Sequence, residues 1–185
     1  IGGTGNARTI TLKHQANITG VANITITIND GALQNTYTLR VEVVPVSQWY
    51  WGLLAGSPAG TAGAVDGTGT SALFTGPNGM VRDSQGNLFV SSNNVIRKIN
   101  PATGVVTTFA GTMGSAGLVN GTGTAAKFNQ PGGLSIDGQD NIYVADSLNH
   151  VIRKIDNGQV TTVAGLAGTA GNVDGTGSAA RFNNP

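Results

Sequence analysis

The chain has 185 residues, of which 29 are glycine, and its 10 lysine and arginine residues nearly balance its 9 acidic residues. A nucleic-acid surface needs clustered basic residues, and none are found here, so we expect no nucleic-acid partner. The chain has no cysteine, which excludes disulfides, a thiol nucleophile and a thiolate metal site, and it has no 18-residue apolar stretch for membrane insertion.

The first 46 residues predict β-strands with one polar face. Threonine alternates with isoleucine or leucine around residues 9–12 and 24–28, and again over Thr36–Val44. Asn29-Asp30-Gly31 is a turn signal between two of these strands. The segments GTGNARTITL and ANITITINDG resemble a bacterial immunoglobulin-like repeat. A complete domain of that type has about seven strands, so the resemblance implies that residues 1–46 are its C-terminal part.

A 54-residue block then recurs through the rest of the chain. The sequences DGTGTSA, NGTGTAA and DGTGSAA fill residues 66–72, 120–126 and 174–180. Each is followed by a phenylalanine and then a proline, and Pro77, Pro131 and Pro185 are spaced by 54 residues. A strict period of this length predicts a repeat architecture.

Each repeat divides into four short strands without a helical stripe. The predicted strands are Gly79–Asp83, Asn87–Ser91, Val95–Ile99 and Val105–Phe109 in the first repeat, and Gly133–Asp137, Asn141–Ala145, Val151–Ile155 and Gln159–Val163 in the second. The turns DSQGN and DGQDN join the first strand to the second. Four meandering antiparallel strands in tandem predict the blades of an all-β propeller.

The stretches DSQGNLFVSSNNVIRKI and DGQDNIYVADSLNHVIRKI, each followed by VTT-x-AG, resemble NHL-repeat β-propellers. The resemblance covers about residues 50–185 and implies blade one at 77–111, blade two at 131–165 and the start of blade three at 166–185. Blade one departs from the family pattern, because Ser91 and Ser92 replace the Ala145-Asp146 pair. Propellers of this family usually close with about six blades, with the first strand at the axis and the fourth at the rim.

The phase of the repeat places a lone outer strand at Trp49–Ala55, because Gly56 aligns with Gly111 and Gly165. The propeller region is therefore predicted at 47–185 and begins with an outer strand that lacks its own blade. Both domains are expected to be partial, as in a window cut from a longer polypeptide. Open β edges of this kind favour self-association.

The side chains that could take part in catalysis do not form a catalytic set. His14 and His150 lie in different domains, and the inner strands offer mainly small or apolar residues such as Met80 and Leu134. No metal set can be assembled from them, and an axial packing layer is favoured. We predict no catalytic residue and no cofactor.

Two loop and strand features are weaker candidates. Asp66, Asn120 and Asp174 open the D/N-G-T-G loops and offer oxygen ligands to calcium, but each loop holds at most one acid, so a glycine turn that lets a phenylalanine tuck between blades is favoured. Arg97 and Arg153 are predicted to form structural ion pairs, with Asp146 or with acids of a neighbouring blade.

Trp49, Tyr50 and Trp51 form the chain's aromatic cluster. Exposed, such a cluster would bind a carbohydrate or a protein partner; buried, it would plug the junction between the two domains. The second interpretation is favoured.

These features together favour a non-catalytic binding, adhesion or scaffold segment of a secreted or cell-surface multidomain bacterial protein, with a protein or carbohydrate ligand. One alternative is a fragment of a propeller enzyme, a lyase or lactonase whose active site lies in further blades. Another is a structural filament or matrix component. Fold alone does not decide among them.

Overall fold

The computed structural model describes residues 20–29, 34–43 and 52–185. The chain divides into two compact units, Ile1–Trp51 and Gly52–Pro185. The predicted aromatic cluster Trp49–Trp51 lies outside the described residues, as does the predicted strand around residues 9–12.

The first unit contains one antiparallel hairpin. Strand β1 spans Gly20–Asn29 and strand β2 spans Gln34–Val43, in a continuous register that pairs Ile24 with Leu39 and Thr25 with Thr38. Apolar positions therefore stand opposite apolar ones, and threonines opposite threonines, as the alternation predicts. The predicted immunoglobulin-like domain is not established by this hairpin.

The second unit contains two antiparallel sheets of the same design. Blade one comprises β3 (Gly67–Thr68), β4 (Pro77–Arg82), β5 (Leu88–Ser92), β6 (Val95–Asn100) and β7 (Val105–Ala110), in the order β3-β7-β6-β5-β4. Blade two comprises β8 (Gly121–Thr122), β9 (Pro131–Ile136), β10 (Ile142–Asp146), β11 (Val151–Asp156) and β12 (Gln159–Ala164), in the order β8-β12-β11-β10-β9. The all-β propeller fold predicted from the repeat is confirmed.

Each blade has five strands rather than the predicted four. The D/N-G-T-G loop that precedes a blade supplies two residues that pair with that blade's outer strand: Gly67 with Val106, and Gly121 with Val160. An outer strand would otherwise expose a row of unpaired N–H and C=O groups, and the loop covers part of that edge. A two-residue strand has no alternation, so the sequence pattern does not predict it.

The predicted lone outer strand at Trp49–Ala55 is wrong for its described part, because residues 52–55 lie in no strand. The alignment of Gly56 with Gly111 and Gly165 is confirmed. Their N–H groups donate to equivalent carbonyls, those of Gly69, Gly123 and Gly177. The physical reason is the pairing partner. In the described residues no third strand of a preceding blade lies beside residues 52–55, and a strand needs a neighbour to complete its ladder.

The main core lies between the two blades. Phe89, Ile96 and Ala110 of blade one share one buried cluster with Val144 of blade two and with Phe128 of the loop before it. Val144 and Phe128 are fully buried. A smaller cluster covers the other face of blade one, with Val90, Ile99 and Val106 packed against the loop residues Ala72 and Phe74 and against Ala55. The predicted tucking of a loop phenylalanine between blades is thus observed at Phe128, while Phe74 packs on the outer face of blade one.

Candidate functional site

A buried arginine anchors the D/N-G-T-G loop of blade one. Arg97 on β6 has no exposed side-chain area, and its guanidinium donates to the carbonyls of Leu73 and Val65 at 2.9 and 2.8 Å and to Asp66 Oδ1 at 2.8 Å. The two oxygens of Asp66 also accept from the amide and hydroxyl of Thr108. One side chain therefore fixes both arms of the loop that contains β3 (Gly67–Thr68), the rim strand at the outer edge of blade one.

The equivalent arginine of blade two makes the same contacts with one exchange. Arg153 donates to the carbonyls of Lys127 and Val119 and to Asn120 Oδ1, at 3.1, 3.0 and 2.8 Å. The loop residue is neutral here, and the carboxylate comes from Asp146 Oδ2 at 2.9 Å instead. The predicted structural role of the two arginines, including the pair with Asp146, is confirmed.

Asp146 lies fully buried at the end of β10. Its Oδ1 accepts from the Asn129 amide at 2.8 Å, and its Oδ2 accepts from Asn149 Nδ2 at 2.8 Å as well as from Arg153. Burial raises the pKa of the Asp146 carboxyl, while these three donors act in the opposite direction. The donors are arranged around an ionised carboxylate, so the group ties β10, β11 and the loop end into one network.

The calcium candidates have different surroundings from those of a cation site. Asp66 and Asn120 both direct oxygens at a guanidinium, and a cation at either position would lie beside a fixed positive charge. Asp174 opens the third copy of the loop, which has the same backbone bonds as the other two: Val173 pairs with Arg181. The geometry thus explains Asp66 and Asn120 by loop anchoring, and the expectation that these loops bind no calcium stays a prediction for titration.

A polar cavity opens where the loop ends meet the β5–β6 and β10–β11 turns. Its volume is about 450 Å³, and it lies between the two blades. The lining residues are all uncharged: Thr75, Gly76, Asn78, Asn93, Gln130, Pro131, Ser147 and Asn184. We call this the loop-face cavity. Its hydroxyl and amide groups provide both donors and acceptors without a net charge.

Several residues of this cavity have left-handed backbone conformations. Gln130 and Asn184, each just before a repeat proline, have φ values of 51° and 58°, and Gly76 holds the equivalent place at 52°. Asn93 in the β5–β6 turn is also left-handed, and Asn94 Oδ1 accepts from the Gln130 amide at 3.1 Å. Asparagine enters this region readily, whereas a glutamine such as Gln130 is uncommon there, and uncommon backbone conformations concentrate at functional positions. The sequence signal was only the proline that follows each position.

The remaining predicted residues fall as follows. His150 Nδ1 accepts from the Asn184 amide at 3.2 Å, so this histidine orders the edge of the loop-face cavity. His14 lies outside the described residues. Among the described residues, no group of three histidine, cysteine, aspartate or glutamate side chains is placed to hold a metal, and no helix is long and apolar enough to cross a membrane.

Comparison with known proteins identifies the repeat. Residues 128–155 match the family model described as NHL repeat. NHL repeat-containing protein 2 of Bos taurus is 38% identical over 98 residues, which are 51% of this chain and 14% of that protein. The chain therefore matches only about a seventh of the length of this curated relative.

Two solved structures from Bacteroides species share the fold. A structural genomics protein of unknown function from Bacteroides thetaiotaomicron is 32% identical with a TM-score of 0.55, covering 59% of this chain and 28% of that one. An auxiliary nutrient binding protein from Bacteroides ovatus is 25% identical with a TM-score of 0.53, covering 64% of this chain and 33% of that one.

Proposed function

We propose that this chain is part of a non-catalytic binding module, in which the propeller blades form a rigid scaffold and the loop-face cavity receives a polar, uncharged ligand. The observation that carries the proposal is the cavity itself. It is about 450 Å³ in volume, within the range of small-molecule sites, and hydroxyls and amides line it without a charged group.

The rigidity of this site has a structural source. Two loop ends beside the cavity are tied to buried groups: Asn129 to the Asp146 carboxylate, and Thr75 to the Ser92 hydroxyl. A ligand that meets preordered amides loses less free energy to ordering than one that must organise a flexible loop. The strained conformation of Gln130 is maintained by this surrounding network.

The comparisons support a binding role in general terms. A solved structure that shares the fold is named an auxiliary nutrient binding protein, which agrees with a binding role for the blades. We extend the proposal to a secreted or cell-surface location, based on the low charge and the glycine-rich all-β composition. Protease accessibility of the protein on intact cells tests that location.

The binding test uses NMR titration of the 185-residue chain with neutral monosaccharides and zwitterionic amino acids. We expect at least one ligand to shift the amide signals of Thr75, Gln130 and Ser147 together. Gln130→Gly keeps the backbone that Gly76 adopts in blade one, but it removes the side-chain amide, so we expect at least a fivefold weaker Kd.

The matched control is Asn157→Gly, which changes another left-handed amide residue at the opposite end of the strands and should leave this Kd unchanged. Two results would contradict the proposal. One is that no ligand in the panel shifts the loop-face signals. The other is conversion of a bound ligand to a product, which would favour the enzyme alternative.

A further inference from the structure

The opposite end of the same two blades holds a groove made of two adjoining cavities. One has a volume of about 310 Å³ and lies between the blades, and the other, of about 550 Å³, lies along blade one. They share Gln85 and Lys98, so the two spaces meet at these side chains. We call this surface the lysine groove. It is distinct from the loop-face cavity, because the β4–β5 and β11–β12 turns border it rather than the loop ends.

The inner part of the groove lies over the core between the blades, where Phe109 is partly exposed while Phe89, Ile142 and Ile155 are buried. Phe89 and Phe109 meet edge to face with their ring centroids 4.8 Å apart, and Ile142 and Ile155 of blade two lie beside them. The ammonium group of Lys98 lies 5.6 Å from the centroid of the Phe89 ring. A ligand here would contact carbon-bound hydrogens on one side and polar groups on the other.

The walls of the groove carry amides and hydroxyls. Gln139 and Asn157 border the inner cavity, and Asn100, Thr103 and Thr107 border the outer one. These groups both donate and accept hydrogen bonds, and none of them carries a charge. The lining therefore favours a ligand with many hydroxyl groups along its length.

The charges in the groove nearly cancel. Asp83 and Asp140 face Lys98, which gives a small negative balance that disfavours phosphate and other strong anions. Asp140 also joins the blades, because its carboxylate accepts from the Ser84 amide at 2.9 Å and hydroxyl at 2.6 Å. Asp140 is left-handed with φ of 63°, a conformation that aspartate adopts more readily than most residues, and Gly86 stands at the equivalent place in blade one.

Lys98 differs from its counterpart in blade two. Lys154 is held by Asp156 at 3.1 Å, whereas blade one has Asn100 in the place of that aspartate. Among the described residues, no carboxylate lies within ion-pair distance of Lys98. Its ammonium retains hydrogen-bond donors for a ligand, while the ammonium of Lys154 is already engaged.

From this lining we propose that the lysine groove binds a neutral oligosaccharide chain, with one sugar ring over the Phe109 edge and the next units along the Asn100 and Thr107 wall. Sugars combine apolar ring faces with hydroxyl edges, and the groove offers the exposed part of the Phe109 ring beside polar walls. Its modest net charge argues against an acidic polymer. Its amide-rich walls provide little burial for the apolar side chains of a docking peptide.

The test measures binding of the 185-residue chain to the hexaoses of glucose (β-1,4), xylose and mannose by titration calorimetry. We expect at least one of them to bind at least tenfold more tightly than its disaccharide, because a chain fills both cavities. Hexagalacturonate, the charged probe, is expected to bind more weakly. Lys98→Ala should weaken binding at least tenfold, and Lys154→Ala, the matched control, by less than twofold.

Thermal melts of both variants establish that each is folded, and Gln85→Ala provides a second change at an exposed groove residue, with an expected loss of at least threefold. The proposal is overturned if no hexaose binds, if the disaccharide binds as tightly, if hexagalacturonate binds best, or if folded Lys98→Ala binds like the unchanged chain. Gln130→Gly should leave hexaose binding intact, so failure of the loop-face proposal and failure of this one are distinguishable.

Discussion

Arg97 and Arg153 stand at the same position of two blades, yet their carboxylates come from different parts of the repeat. In blade one the acid is Asp66 in the loop, with 43% of its side chain exposed; in blade two it is Asp146 on β10, fully buried. Each guanidinium therefore has one carboxylate partner among the described residues. The comparison indicates that the blade requires one balancing charge, and that two different positions satisfy the requirement.

The residues that replace these acids complete the exchange. Ser92 occupies the place of Asp146, and its hydroxyl accepts from the Thr75 amide at 3.1 Å, just as Asp146 accepts from Asn129. Asn120 occupies the place of Asp66 and still accepts from the arginine. Asp146 thus both accepts the loop amide and balances the charge of the buried arginine. In blade one Ser92 accepts the loop amide and Asp66 balances the arginine charge.

Removal of each acid measures the difference most directly. We expect Asp146→Ala to lower the free energy of unfolding by about 3–5 kcal/mol, because it leaves a buried guanidinium without its counter-charge. Asp66→Ala should cost about 1.5 kcal/mol, since water reaches the exposed site. Urea unfolding of the two variants checks this order, and equal losses would refute the proposed difference between the blades.

Moving the acid within blade two tests whether the two arrangements are interchangeable. Asp146→Ser removes the buried carboxylate, and adding Asn120→Asp recreates the Asp66 and Ser92 arrangement of blade one. We expect the double variant to unfold within about 1 kcal/mol of the original chain, through a favourable coupling between the two positions. The idea fails if the second change restores none of the stability that Asp146→Ser loses.

A third measurement concerns the turns DSQGN and DGQDN, in which the two blades should behave alike. The Asn141 side chain, together with the amides of Asn141 and Gln139, lowers the pKa of Asp137. Desolvation opposes the shift at Asp83, but Asn87 and the Gln85 amide still lower the pKa of that carboxyl. A lowered pKa in the folded state means that the unfolded chain binds more protons, so stability is full above about pH 4 and is lost as the pH falls through the lowered values.

Urea unfolding between pH 2.5 and 6 should therefore show decreasing stability on the acid side. Asp137→Asn and Asp83→Asn should each flatten this dependence by a similar amount, because the two turns share the same three hydrogen bonds. Asp146 contributes with the opposite sign, since its raised pKa lowers stability as the pH rises. A strong effect from only one of the two turn variants would contradict the equivalence.

The smallest expected effect is that of calcium. Both oxygens of Asp66 already accept hydrogen bonds, so we expect 1 mM calcium to leave the melting temperature unchanged. A micromolar site would add about 2.7 kcal/mol or more at hundredfold excess, which is a shift of several degrees. If such a shift occurs, Asp66→Asn and Asp174→Asn identify the loop responsible.

The strands were predictable because their signals are local. Alternating residues such as Leu88 and Val90, and turn sequences such as Asp-Ser-Gln-Gly-Asn, placed the eight main strands within two residues of their ends. The rim strand at Gly67–Thr68 was missed, because glycine and threonine give no pattern in two positions. The arginine role was partly predicted, since burial of a long basic residue in a strand implies a carboxylate nearby.

The cavities were not predictable in the same way. Gln130 lines one of them with a left-handed backbone, and the sequence has no glycine there to indicate that conformation. The lysine groove depends on residues far apart in the chain, such as Gln85 and Gln139, which are 54 residues apart. These residues border a common space only after the blades pack. Local patterns contain no information on which pair of turns will border a common space.

The rim strand also bears on how the protein emerges from the ribosome. Each D/N-G-T-G loop is synthesised before the blade whose edge it completes, and the bond from Thr108 to Asp66 closes over 42 residues. Thr162 and Asn120 are separated by the same 42 residues. All the groups that pair within one blade thus fall within a sequence window shorter than a single 54-residue block, so they are all available once its fourth main strand has left the exit tunnel. The main core between the blades forms only when the next blade follows, so the spacing of the chain favours assembly in the order of translation.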